Sequence, residues 1–367
     1  MCVILTRAPR FPRADGPQGV ANNNKNVTCW PAALTVVQTW DEAAMAAFGA
    51  GMGREQYLKG STVMLGPGVN LARVPWNGRN FEYQGEDAYL AARMVHAEVI
   101  GIQSQNVSGC VKHYVFNNEE NDRSGMSANV PDRAAKELYY KPFAAAVDAG
   151  VGSAMCSYNR VNGTWACEDP TSLNEIHNVM GFAGWMMSDW GATHSTIPAA
   201  NAGLDQEMPS NQYFGSALAA AVAAGTVTQA TIDAKVTRIL TAMYALNLFA
   251  HPPTPDRNTS SPANPPEHAT LARELAEKSI TLLKNTGATL PVPPESARTV
   301  FVFGDTDTIS GGGSGSVVRP YVVTPAQGLT TYLGGRGNVT YSATQNGAAA
   351  AAAASAADLI VMVRRIW

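Results

Sequence analysis

The run GWMMSDWG at 184–191 carries an apolar stretch to a single carboxylate, Asp189, with Trp190 directly after it. A carboxylate beside an indole at a strand end suits a sugar pocket. The acid can attack an anomeric carbon, and the indole can stack on a sugar face. The same aspartate would serve as well to cap a following helix. Lys112 and His113 place two donors side by side. Adjacent strand residues face opposite ways, so both reach one ligand only at a bend or a strand end. The bland alternative is a surface lysine beside a core histidine. Arg79 stands in GRNFE close to Glu82, where a local ion pair is the simpler account. Asp15 opens DGPQGV, whose turn chemistry alone would explain it. Glu119, Glu120 and Glu207 are further carboxylates that nothing singles out.

The elements that must position these groups alternate. Short apolar runs at 62–65 (TVML), 109–114 (GCVKHY), 151–157 (VGSAMCS) and 184–188 (GWMMS) read as strands. Helix-forming segments at 87–100 and 132–149 lie between them. Ile232, Val236, Ile239, Leu240 and Met243 make one apolar helix face. Strand–helix alternation implies a parallel sheet with helices outside it, and about 250 residues of it fit a (β/α)8 barrel; an open doubly wound sheet is the runner-up. Asn70 and Arg79 follow the first run, Lys112 and His113 close the second, Tyr158 follows the third and Asp189 the fourth. In a barrel the strand C-terminal ends form the active-site face, so four strands deliver polar groups to one rim.

At 367 residues, length predicts about two to two and a half domains. The segment 251–267, HPPTPDRNTSSPANPPE, reads as an extended linker between a barrel domain, 1–250, and a second domain, 268–367. There 280–283, 299–303 and 359–363 read as buried strands and the alanine tract 348–357 as a helix. This second α/β pattern stops just after its strand-like LIVMV.

Composition removes several classes. The net charge is -3 and charged residues are 15% of the chain, which argues against a nucleic-acid binder. With 46% hydrophobic residues and no charge run, disorder is excluded too. No apolar run reaches the roughly 18 residues of a membrane span. The opening MCVILTRAPRFPR is too short in apolar residues for a signal-peptide core. Five cysteines without a CxxC pair, and six scattered histidines, argue against zinc. Cys156 and Cys167 flank a short polar turn, where a local disulfide and free thiols stand as equal alternatives. Sequons at Asn26, Asn106, Asn162, Asn258 and Asn338 lean toward a secreted glycoprotein.

Taken in order, these segments resemble glycoside hydrolase family 3, and its β-glucosidase branch. The pieces are Asp15-Gly16-Pro17 with Gly19-Val20, LGPGVN at 65–70, GRNFE at 78–82 with Glu86-Asp87, and Lys112-His113 with Asn118 and Glu119. SYNRVNG at 157–163, Ser188-Asp189-Trp190 and GLDQEMP at 203–209 follow. LLKN at 282–285 with Leu290-Pro291, and GGGSGSV at 311–317, continue the match. The resemblance implies a TIM-like barrel followed by an α/β sandwich, and a retaining, exo-acting glycosidase that releases terminal glucose. Asp189 would be the nucleophile. Asp15, Arg79, Lys112 and His113 would hold the hydroxyls of the terminal sugar. Tyr158 would stand beside the nucleophile, and Trp190 would wall the pocket. It implies no metal or organic cofactor, and a carbohydrate as partner rather than nucleic acid or membrane.

Retention also needs a general acid about 5 to 5.5 Å from the nucleophile. In similar family members that glutamate comes from later in the second domain. The β-N-acetylhexosaminidase branch uses an Asp-His pair on the loop after the Lys-His strand, but here that loop, NNEENDRSGMSANVP at 117–131, has no histidine. No general acid is therefore assigned within the chain. The chain is expected to be a fragment shortened at both ends, whose full-length parent is secreted. A β-xylosidase, an exo-β-glucanase, a sugar-binding fragment without the acid, and a nucleotide site at the Gly-rich loop are the competing readings. The last lacks the P-loop lysine.

Overall fold

A computed structural model describes residues 12–251, 260–296, 299–304, 311–343 and 347–363. They form two compact units, 1–280 with 311–318, and 281–310 with 319–367.

The first unit is built on a parallel sheet of five strands paired in chain order: Arg13–Asp15, Val63–Leu65, Ser108–Tyr114, Ser153–Cys156 and Trp185–Ser188. The last four lie at the expected apolar runs. Every residue of the last four strands is buried, so they read as runs without in–out alternation, whereas the first, Arg13–Asp15, is short and only half-buried. A bridge from Met187 to Gln206 continues the wall past the fifth strand. Helices Glu42–Leu58 and Ala88–Gln103 pack against each other outside the sheet. Asp41 and Asp87 start them by accepting backbone N–H groups of Ala44 at 3.0 Å and Leu90 at 2.7 Å. The expected helix at 132–149 is interrupted by a π turn, Ala135–Tyr139, before Lys141–Asp148 continues. Helix Gln229–Ala245 carries the apolar face read from its spacing, and Thr228 caps it.

Helix Pro266–Ser279 belongs to this unit, whereas the sequence assigns 268 onward to the second domain. Proline at its first turn has no N–H to lose there. His268 Nδ1 then meets the buried carboxylate of Glu55 at 2.7 Å, and Glu55 also accepts the Thr28 N–H at 2.8 Å. Residues 252–259 of the proline-rich segment, with the sequon at Asn258, lie outside the described residues.

The second unit is a parallel sheet with Thr299–Gly304 between Asn338–Ser342 and Leu359–Val363. Its core is Val300, Val302 and Leu333. Helix Pro325–Leu333 starts with a reciprocal Thr324–Gln327 capping box, and Ala348–Ser355 forms the alanine helix. The apolar run at 280–283 is not a strand. It leaves helix Pro266–Ser279 as irregular chain, with Ile280 79% and Leu283 92% exposed. An apolar run becomes a strand only where a neighbour completes its ladder, and none pairs with it among the described residues.

One buried acid sets a pH dependence. Glu98 is buried in helix Ala88–Gln103, and its Oε2 accepts from Gln84 Nε2 at 2.5 Å. Burial pushes its pKa up to about 8, against a partial counter-effect from that bond. The folded state therefore holds the proton more tightly than the unfolded chain. Its contribution to stability is complete below the unfolded value near about 4.3. It is lost as pH rises toward 8, by up to about 1.4 kcal/mol per pH unit. Urea midpoints measured from pH 5 to 8 should fall in the parent and stay nearly level in Glu98→Gln. An equal slope in both would remove Glu98 as the cause.

Candidate active site

The seven residues to which the resemblance gives a role, Asp15, Arg79, Lys112, His113, Tyr158, Asp189 and Trp190, line one cavity of about 510 Å³ in the first unit. All but Arg79 stand in a strand or just after its end, and Arg79 comes from the long loop that follows the second strand, so sheet order brings together residues distant in the chain. Asp15 ends the first strand, and Lys112 and His113 lie in the third. Tyr158 follows the fourth strand, and Asp189 follows the fifth.

Asp189 does not cap a helix. Its Oδ1 accepts the N–H of Trp190 at 2.7 Å, and the next helix, Ile197–Ala202, begins after Thr196. Its Oδ2 lies 3.7 Å from His113 Nε2. Burial raises the Tyr158 pKa, and the charge of Asp189 and a hydrogen bond to it add to the rise. The phenol therefore stays protonated beside the carboxylate. Burial, with Arg79, Lys112 and Arg123 nearby, holds His113 well below its usual value. The imidazole is neutral at pH 7 and offers a hydrogen bond rather than a charge. Met208 N–H donates to Ser188 Oγ at 2.8 Å, and Ser188 N–H donates to the Gln206 carbonyl at 2.9 Å. These bonds fix the strand just ahead of Asp189.

The Lys112–His113 peptide is cis, and strand register shifts between Lys112 and Tyr114. Both side chains line the cavity. Asn70, singled out in the sequence, does not line it. It clasps the backbone of His113 instead, accepting the N–H at 2.7 Å and donating to the carbonyl at 3.0 Å. Lys112 Nζ sits 3.9 Å from both Asp15 and Glu82, almost wholly buried. Asp15 also accepts from Asn22 Nδ2 at 3.0 Å. Arg79 pairs with Glu82, as the simpler account expects, and also faces the cavity. Burial works against its charge, but Glu82, Tyr83, Glu120 and Asp189 hold its pKa above the usual value.

The cavity also contains Glu120, to which no role follows from the sequence, and residues the sequence does not single out: Phe81, Arg123, Met155 and Ser314. Arg123 lies over the Tyr158 ring at 4.3 Å and bonds Glu120 at 2.7 Å. Ser314 donates to Glu82 at 2.9 Å and accepts from Arg79 at 3.4 Å. It arrives on the Gly-rich segment 311–318, which the sequence places in the second domain. A Cβ on Gly311 or Gly315 would run into the Phe81 ring, so glycine is what lets the backbone pass. The segment is also held by Gly311 N–H donating to Gln18 Oε1 at 2.6 Å.

The other carboxylates considered as acids are engaged. Glu119 accepts the N–H groups of Glu120 and Asn121, both at 3.0 Å. Glu207 accepts those of Tyr213 at 2.9 Å and Phe214 at 2.7 Å. Glu120 is held by Arg123, by Asn117 at 3.0 Å and by Arg79 at 3.8 Å. Cys156 and Cys167 form a disulfide, which settles the open alternative and ties the fourth strand to the hairpin around Arg160–Val161 and Thr164–Trp165. Among the described residues no cluster of His, Cys, Asp or Glu is placed to hold a metal ion. No helix among them is long and apolar enough to cross a membrane.

Comparison with known proteins places the chain in a family. Residues 6–242 match the glycosyl hydrolase family 3 N terminal domain, and residues 280–367 match the glycosyl hydrolase family 3 C-terminal domain. A probable beta-glucosidase L of Emericella nidulans is 39% identical over 94% of this chain and 51% of its own length. A beta-glucosidase of Rhizobium radiobacter is 36% identical over 92% of this chain and 42% of its own length. The crystal structure of beta-D-glucoside glucohydrolase from Trichoderma reesei superimposes with a TM-score of 0.88 at 34% identity, covering 96% of this chain and 53% of that one. The chain thus spans about half the length of the relatives it matches. Its fold is that of these enzymes, a TIM-like barrel followed by an α/β sandwich. The chain belongs to glycosyl hydrolase family 3.

Proposed function

We propose that this chain carries the sugar pocket and the nucleophile of a retaining, exo-acting β-glucosidase. The observation that carries the reading is the placement of Asp189. Its carboxylate is fixed by the Trp190 N–H and flanked by neutral His113 and protonated Tyr158, on the wall of the one cavity shared by Asp15, Arg79 and Lys112. Asp189 oxygen attacks the anomeric carbon. The bond to the aglycone oxygen breaks, and its electron pair leaves with the aglycone. Water then attacks the same carbon, the ester releases Asp189, and the water's proton passes to solvent. Asp15, Arg79, Lys112 and His113 hold the sugar hydroxyls, and Trp190 walls the ring. The Cys156–Cys167 disulfide supports a full-length protein working in an oxidising, extracellular compartment.

Glu119 and Glu207 are held by backbone N–H groups away from the cavity, and Glu120, which lines it, is held by Arg79, Asn117 and Arg123, so none of the three is placed as the general acid. A positioned acid contributes about 10²–10⁴-fold. Without one, kcat/KM should fall steeply as the leaving-group pKa of aryl β-glucosides rises, with 2,4-dinitrophenyl glucoside turned over and cellobiose barely. A flat dependence would put an acid in this chain, and Glu120→Gln would then be the variant to measure.

A further inference from the structure

His113 faces the catalytic cavity with a neutral ring, so one of its two nitrogens carries a proton and the other a lone pair. Which nitrogen it is decides whether the ring gives a hydrogen bond to the cavity or takes one. The residue is held from both ends. Asn70 is buried and binds both the N–H and the carbonyl of His113, which fixes the backbone. Tyr83 directly follows the single 3-10 turn Asn80–Glu82 and has no exposed surface. Its hydroxyl oxygen lies 3.4 Å from His113 Nδ1. Nε2, the other nitrogen, lies 3.7 Å from Asp189 Oδ2. Burial raises the Tyr83 pKa, with Arg79 opposing and Glu82 and Glu120 adding, so the phenol keeps its proton.

That phenol has one proton to give and two lone pairs. Asn117 constrains how they are used. Its Nδ2 donates to Glu120 Oε1 at 3.0 Å, which sets the orientation of the amide, because a carboxylate repels Oδ1. The same Nδ2 donates to the Tyr83 oxygen at 3.4 Å. The phenol proton is then shared between two acceptors, the Asn117 carbonyl at 3.2 Å and Nδ1 at 3.4 Å. Were Nδ1 protonated, the phenol would turn wholly to the carbonyl, and Nε2 would set a bare lone pair against the Asp189 carboxylate. With the proton on Nε2, the phenol serves Nδ1 and an N–H faces Asp189. A carboxylate carries a full charge and a carbonyl only a dipole, and the site is too buried for water to screen the difference, so the second arrangement wins. We propose that Tyr83 is a positioning residue whose hydroxyl donates to His113 Nδ1 and so holds the Nε2–H tautomer, with that N–H offered to the cavity beside Asp189. Its consequence for turnover rests on the reading of this cavity as the sugar pocket; the tautomer does not.

The test is long-range ¹H–¹⁵N NMR of the full chain labelled with ¹⁵N-histidine, without substrate. The His113 signals are identified by their loss in His113→Gln. The parent should show Nε2 protonated and Nδ1 unprotonated. In Tyr83→Phe the Nδ1 signal should leave its parent position, downfield if the tautomer is kept without its donor, upfield if the proton crosses to Nδ1. Chain grown with 3-fluorotyrosine, a more acidic phenol and a stronger donor, needs no substitution and should move Nδ1 upfield. In Tyr83→Phe kcat/KM for 2,4-dinitrophenyl β-glucoside should fall about fivefold, the worth of one hydrogen bond. The proposal is overturned by a protonated Nδ1 in the parent, or by an Nδ1 signal that neither Tyr83→Phe nor fluorotyrosine moves. Failure of the catalytic reading shows separately, as a folded parent that turns over no glucoside while its His113 signals still report the tautomer.

Discussion

Replacing Asp189 with glycine is expected to cut dinitrophenol release from 2,4-dinitrophenyl β-glucoside by at least about 10⁴-fold, the scale seen when a covalent nucleophile is removed. The substitution deletes the oxygen that attacks, and leaves His113, Tyr158 and Trp190 in place around the gap. Sodium azide should restore release by entering that space, and the product should be α-glucosyl azide, of opposite anomeric configuration to the substrate. That outcome requires attack from the face Asp189 occupies, which a merely structural aspartate would not produce. Full turnover by the variant without azide would remove Asp189 from the role.

The second large effect concerns stability. Asp205 is fully buried at the side chain and accepts from a backbone N–H and a guanidinium, with an ammonium close by. The Met186 N–H reaches it at 2.8 Å, Arg238 Nη2 at 2.6 Å, and Lys235 Nζ stands 3.9 Å away. Burial pulls the Lys235 pKa down to about 8, with Asp205 acting against that fall and Arg238 adding to it. Asp205→Ala leaves two cations facing each other and orphans the N–H of the strand that presents Asp189. Breaking one side of a buried ion network costs about 3–5 kcal/mol. At about 2–4 °C per kcal/mol for a unit of this size, Tm should drop by roughly 6 °C or more. Asp205→Asn keeps an acceptor for Met186 and should lose less. Equal stability of parent and Asp205→Ala would mean that the network carries no net weight.

The strand ends were legible because a polar residue closes or follows each of four buried runs, and parallel order then brings Arg79, Lys112, Tyr158 and Asp189 to one cavity. Met155 was not legible, since a methionine inside a buried run looks like any core residue. Arg123 was hidden in a polar loop among other charges, and only folding lays it over Tyr158. Ser314 was displaced in the sequence: its segment follows a strand of the second unit yet packs in the first. The apolar run at 280–283 misled for the opposite reason, because its residues have strand character but no neighbouring ladder among the described residues. The disulfide could not be decided from spacing, since an 11-residue separation allows both states and only the 5.2 Å Cα–Cα approach decides between them.

The most direct measurement of the central claim is mechanism-based labelling. The 367-residue chain is incubated with 2,4-dinitrophenyl 2-deoxy-2-fluoro-β-glucoside, whose leaving group needs little acid help, and the adduct is located by peptide mass mapping. The account predicts one glucosyl adduct per chain, on Asp189. An adduct on another carboxylate, or none on a chain whose circular dichroism and thermal melt show it folded, would contradict it.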